Sequence, residues 1–199
     1  MSLILLLGAA LLAKAAPPAP PPKIAAPCAR ALLGRKVEAP AGDADLAAFL
    51  AAADSNNLDR YHLYLDGHPD GECAGAVRQL IADRTARLVD FAQHPTTGAA
   101  PAQRQSAFEM TVEPEDEPPA DFTGGTTVAA WQVAEDGAVE DCRIVHSSGA
   151  PALDAAACRA ITHRARYLPA RGADGKPVRG TDQGSFPWRA APAGDTAPN

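Results

Sequence analysis

The sequence predicts an α+β protein. A C-terminal β-β-α-β unit, an antiparallel sheet with one packed helix, follows a small all-helical module. Three observations carry this. Apolar residues from Leu46 to Phe91 recur at the i, i+3, i+4 spacing of helix faces. Two strand-like segments, Thr126 to Val133 and Val139 to His146, flank Asp136-Gly137, a hairpin turn signal. Between the halves, residues 95–121 carry one basic against six acidic side chains, with five prolines.

The chain starts with a targeting segment. Leu3 to Ala13 (LILLLGAALLA) has the length of a secretory h-region, and Ala13-Lys14-Ala15 supplies small residues for cleavage. Residues 1–15 are therefore expected to be a signal peptide and 16–26, with PPAPPP at 17–22, a stiff Pro-rich spacer outside the fold. If the signal stays uncleaved, it would hold the protein at the inner membrane. The run is shorter than the roughly 20 residues a spanning helix needs, so no membrane-spanning segment is expected.

Residues 27–94 read as the helical module. Asp43 or Asp45 can cap a helix bearing Leu46, Phe49 and Leu50, and Ser55 to Asn57 end it. Leu58, Tyr61, Tyr64 and Leu65 form a second turn set, stopped at Gly67-His68-Pro69. A third helix from about Asp70 presents Cys73, Val77, Leu80, Ile81, Leu88 and Phe91. Tyr61 to Leu80 is similar to a short helical-hairpin motif found beside tetratricopeptide-like and other periplasmic modules, which implies a packing or docking unit. Residues 95–121 hold too much like charge to pack, and read as an acidic Pro-rich linker.

In the second half, residues 122–190, Ala129, Trp131 and Val133 share one strand face. Cys142 and Ile144 share a face of the returning strand. Leu153, Ala157, Ala160 and Ile161 make a helical stripe. Asp174-Gly175-Lys176-Pro177 turns into a last strand, and residues 191–199 read as a disordered tail.

The four cysteines, Cys28, Cys73, Cys142 and Cys158, lack zinc spacing and suit disulfides in an exported chain. Three pairings are available, and the spacing favours the local ones, Cys28–Cys73 and Cys142–Cys158. The net charge of −6 and pI near 5.3, with no basic run, exclude nucleic-acid binding. His146, Ser147 and Asp154 tempt as a catalytic trio, but adjacent His and Ser on a strand point to opposite faces. His62, His68, His94, His146 and His163 never fall at ligand spacing. No enzyme activity, metal or cofactor is expected. Arg159, Arg164 and Arg166 read as complementing a helix end and its solvated face, with docking on an acidic partner as the alternative.

Asp136 to Val178 (DGAVEDCRIVHSSGAPALDAAACRAITHRARYLPARGADGKPV) closely resembles the C-terminal domain of the TonB energy-transducer family. The matching pieces are the Asp-Gly hairpin, Ser-Ser-Gly before the helix, Leu-Asp-x-Ala-Ala within it, aromatic-x-Pro-Ala after it, and Asp-Gly-Lys-Pro-Val. The resemblance implies a periplasmic protein in TonB-dependent transport across the outer membrane. It would bind a receptor peptide along a sheet edge, here Val178, Arg179, Gly180, Thr181, Asp182, Gln183, Gly184, Ser185 and Phe186. The alternative is a soluble periplasmic scaffold that binds other envelope proteins and has no energy-transducing role; homodimerisation is open in either case. This chain departs from the family in three places. Pro119-Ala120-Asp121-Phe122 replaces a Tyr-Pro entry, and a signal-like segment replaces the long anchor. Gly180, Gly184 and Pro187 are expected to weaken the last strand.

Overall fold

The computed structural model describes residues 24–93, 98–105 and 116–189. The expected signal peptide, His94 and the tail lie outside the described residues. Four helices form the first half: α1 (Ala26–Leu32), α2 (Ala44–Ser55), α3 (Leu58–Gly67) and α4 (Ala74–Gln93). Helix α1 is an addition to the sequence expectation. Its proline sits in the first turn, where a missing N–H costs nothing. Ala25 packs on the helical core, so the end of the expected spacer belongs to the fold.

Helix α2 begins where Asp43 Oδ1 accepts the Leu46 N–H at 3.0 Å and ends at Asn56, in the left-handed region at φ 50°. Asn57 caps α3 through the Asp59 N–H at 2.9 Å. Phe49, Tyr61, Val77 and the Cys28–Cys73 disulfide are fully buried between the helices. That bond, with Cα atoms 5.5 Å apart, ties α1 to the start of α4.

The second half is built on β2 (Gly124–Val133), β3 (Val139–His146), α5 (Pro151–Arg164) and β7 (Gly180–Arg189). The sheet order is β3-β2-β7, all antiparallel. Thr127, Ala129, Trp131 and Val133 of β2 are buried, as the alternation requires. Ile161 from α5 joins this core, and Cys142–Cys158 staples β3 to the helix at a Cα separation of 5.6 Å. The β2–β3 turn depends on Gly137, at φ 77°; a Cβ there would also lie 2.2 Å from the Tyr167 carbonyl oxygen. The register slips between Ala130 and Gln132, opposite Asp141 at φ 51°, which marks a bulge in β3. Ile144, opposite the buried Ala129, is 38% exposed.

Short ladders complete this half. β1 (Gln103–Arg104) pairs with β4 (Tyr167–Leu168), and β5 (Ala170–Arg171) with β6 (Pro177–Val178). These pairings correct the linker expectation for part of its span. Ala100 bridges Arg171, Gln103 and Arg104 join a ladder, and the buried Asp116 pairs with Arg159. Their acids and prolines do not keep them off the domain, because backbone ladders and one arginine supply the partners. Arg159 thus holds a carboxylate from that stretch, which a role at the helix end alone would not require.

The two halves also meet through a buried ion network. Arg84 of α4, 2% exposed, clamps Asp136 with Nε at 2.7 Å and Nη2 at 3.1 Å, and reaches Glu140 Oε1 at 2.6 Å. Its Nη1 donates to the Asn56 carbonyl at 2.6 Å. Asn56 Nδ2 in turn donates to the Val139 carbonyl at 2.9 Å. Glu140 Oε2 accepts from Arg179 at 2.8 Å. Burial acts to raise the Asp136 carboxyl, but Arg84 outweighs it and holds the group below the usual carboxylate range. Asp136 is therefore both a turn residue and the anchor of the helical half.

Candidate functional site

The sheet ends in β7. It pairs with β2 along its full length, from Val133↔Gly180 to Gly124↔Arg189. No strand lies on its other side among the described residues. The expected weakening by Gly180, Gly184 and Pro187 is corrected: the strand runs unbroken for 10 residues. The glycines suit their places. A Cβ at Gly184 would come within 3.2 Å of the Trp131 ring and 3.3 Å of Phe186, so the bare backbone is what lets two aromatic rings cover it.

The nine residues singled out from sequence divide between two elements. Gly180 to Phe186 lie on β7, whereas Val178 belongs to β6 and Arg179 connects the two. Arg179 faces inward to the ion network, 2.8 Å from Glu140 and 3.4 Å from Glu135, and so supports the hairpin. Along β7, Thr181, Gln183 and Ser185 are exposed, and Asp182, Gly184 and Phe186 are half-buried.

Behind the strand stands a polar hub that sequence reasoning missed. The Tyr167 hydroxyl donates to Asp182 Oδ2 at 2.7 Å. It accepts from Trp131 Nε1 and from Arg104 Nε, each at 3.2 Å. Burial, then the bond to Asp182, raises the Tyr167 pKa, so the phenol stays protonated and able to donate. The Arg104 guanidinium lies 5.9 Å from the ring centres of both Trp131 and Tyr167. It also lies 3.6 Å from Asp182. Trp188 Nε1 donates to Thr127 Oγ1 at 2.7 Å near the far end of the strand. The sequence held one signal for Arg104, as the lone basic residue among the acids of 95–121.

The catalytic-looking trio is not assembled. Asp154 accepts from the hydroxyls of Thr127 and Ser147 and from the Ser148 N–H at 2.9 Å, while His146 is exposed on β3. The carboxylate joins β2 to the loop that starts α5, and the three donors together outweigh burial to hold its pKa down. Among the described residues no three His, Cys, Asp or Glu side chains gather as a metal site. No helix of the described residues is long and apolar enough to cross a membrane.

A small twisted sheet with one helix across it, an open edge strand, and polar groups spent on holding that strand make an interaction module. The comparisons agree. Residues 123–189 match the family model for the Gram-negative bacterial TonB protein C-terminal, so this segment is a TonB-type C-terminal domain. That family is one of transport and interaction domains of the Gram-negative envelope. No curated protein matches the chain.

Proposed function

We propose that the protein works in the periplasm in TonB-dependent transport, receiving an extended peptide of an outer-membrane receptor along the free edge of β7. The observation that carries this is the unbroken, one-sided pairing of Gly180–Arg189 with β2. An edge strand presents a row of backbone donors and acceptors that an incoming strand completes, and neighbouring side chains select among partners.

Pro187 indicates which row that is. Proline has no N–H, and inside a sheet it sits where the missing donor would face away from its neighbour. Residues two apart share that direction, so Thr181, Gln183 and Ser185 form the outward row with Pro187. Asp182 belongs to the inward row, and Tyr167 and Arg104 hold its side chain.

A labelled receptor-derived peptide titrated into the full chain tests this. Gln183→Pro removes an outward N–H and should weaken binding about tenfold while sparing the β2 pairing. Gly184→Pro, on the inward row, should disrupt the sheet itself. No binding by the wild-type chain, or equal binding by Gln183→Pro, would contradict the reading; the protein would then fit a scaffold that meets envelope partners through its helical half.

A further inference from the structure

The C-terminal end of β7 is held by a run of polar groups that starts on helix α5. Asp154, 6% exposed in the first turn of that helix, accepts from the Thr127 hydroxyl and from the Ser148 N–H at 2.9 Å through one oxygen. Its other oxygen accepts from the Ser147 hydroxyl. A carboxylate can only accept, so the Thr127 proton is committed to Asp154. The Thr127 oxygen then turns its lone pairs to the Trp188 indole N–H, which donates to it at 2.7 Å. Thr127 is fully buried, so water cannot stand in for either partner. Each bond in such a run polarises the next. Opposite Trp188, Gly125 lets the Ser148 carbonyl come in close: a Cβ there would lie 2.1 Å from its oxygen. The start of α5, β2 and the end of β7 are thus tied at one place. The other end of the edge has its own anchor, Asp182, held by Tyr167 and Arg104.

Resting on the reading of β7 as the peptide-receiving edge, we propose that Asp154 is a positioning residue for that edge. Acting through Thr127, it fixes the Trp188 indole, and with it the C-terminal end of the strand, before a peptide arrives. A carboxylate that served only the dipole of its own helix would have no need of a hydroxyl on β2. Trp188 and Phe186 are half-buried on the sheet face that carries Thr127, so the indole forms part of the wall beside which an incoming strand lies. An edge already in its bound geometry loses less freedom when a partner joins it. Loss of the anchor should therefore act mainly on the rate at which the peptide leaves.

Thr127→Val, which keeps the branched shape and removes the hydroxyl, is the test, beside Thr127→Ser, which keeps the hydroxyl. In the full, disulfide-intact chain, the labelled receptor-derived peptide should bind Thr127→Val about fivefold more weakly, the order of one hydrogen bond, and Thr127→Ser within about twofold of the wild type. Asp154→Ala should repeat the loss, and Asp154→Asn, whose amide oxygen can accept from Thr127, should recover most of it. In the free chain the Trp188 indole N–H signal should move in Thr127→Val. Amide exchange should quicken at Phe186 and Trp188 while Asp182, held by the other anchor, keeps its wild-type protection. Far-ultraviolet circular dichroism matching the wild type shows which variants are folded; where the valine variant is not, the Asp154 pair gives the same comparison. Equal peptide binding by the wild type and a folded variant lacking the relay, or exchange that quickens evenly from Asp182 to Trp188, would overturn the positioning role and leave the β7 reading standing. No peptide binding by the wild type would overturn that reading, and the role of Asp154 with it.

Discussion

His163, on the buried side of α5, shows how one residue sets a pH limit. Burial first, then Arg166 and Arg159, push its pKa from 6.5 down to about 4. The folded value lies below the unfolded one, so in that window the unfolded chain binds a proton that the native protein excludes. Stability should be complete above pH 6.5 and fall as the pH drops toward 4. The loss is on the order of 3 kcal/mol. His163→Gln should flatten that fall, which urea midpoints measured across the window will show; an equal fall in the variant would refute the assignment. Asp136 acts at lower pH. Its carboxyl is held below 3.8, so its contribution is present above that value and is lost as the pH falls further. Of these residues only the turn role of Asp136 is legible in the sequence. A hairpin turn has local chemistry, whereas the partners of Arg84 lie 28 to 56 residues away along the chain and those of His163 come from a packed interface.

At the scale of elements, the hairpin β2–β3 and helix α4 form the joint between the halves. Arg84→Met leaves Asp136 and Glu140 buried with only Arg87 and Arg179 to balance them. Breaking a buried pair in this way should cost about 3 kcal/mol. A change in urea midpoint below a third of that would mean that the joint contributes little. Most elements are legible from periodicity and caps: Asp43 before α2, the break at Ser55 to Asn57, and the alternation of Ala129, Trp131 and Val133 in β2. Helix α1 is not, because its proline lies within a proline-rich stretch and its stability comes from packing and from Cys28–Cys73. Strand β7 reads as weak for a similar reason. Local propensity penalises Gly180, Gly184 and Pro187, and only the tertiary register shows that two of them admit close packing and the third faces outward.

Across the whole molecule, the ion network, the packing of 98–105 and the Asp116–Arg159 pair make the helical half and the TonB-type domain one structure. Thermal or urea unfolding should accordingly show a single transition by tyrosine and tryptophan signals together; two separated transitions would show that the halves fold independently. Opening Cys142–Cys158, which closes a separation of 16 residues, should lower that shared transition by about 3 kcal/mol in the chain-entropy model. Residue-resolved amide exchange on the full chain, with and without a saturating receptor-derived peptide, tests the peptide-receiving edge most directly. The account predicts new protection at Thr181, Gln183 and Ser185, the outward row of β7. Protection at Arg143 to Val145 on the β3 edge instead, or at neither edge, would contradict it.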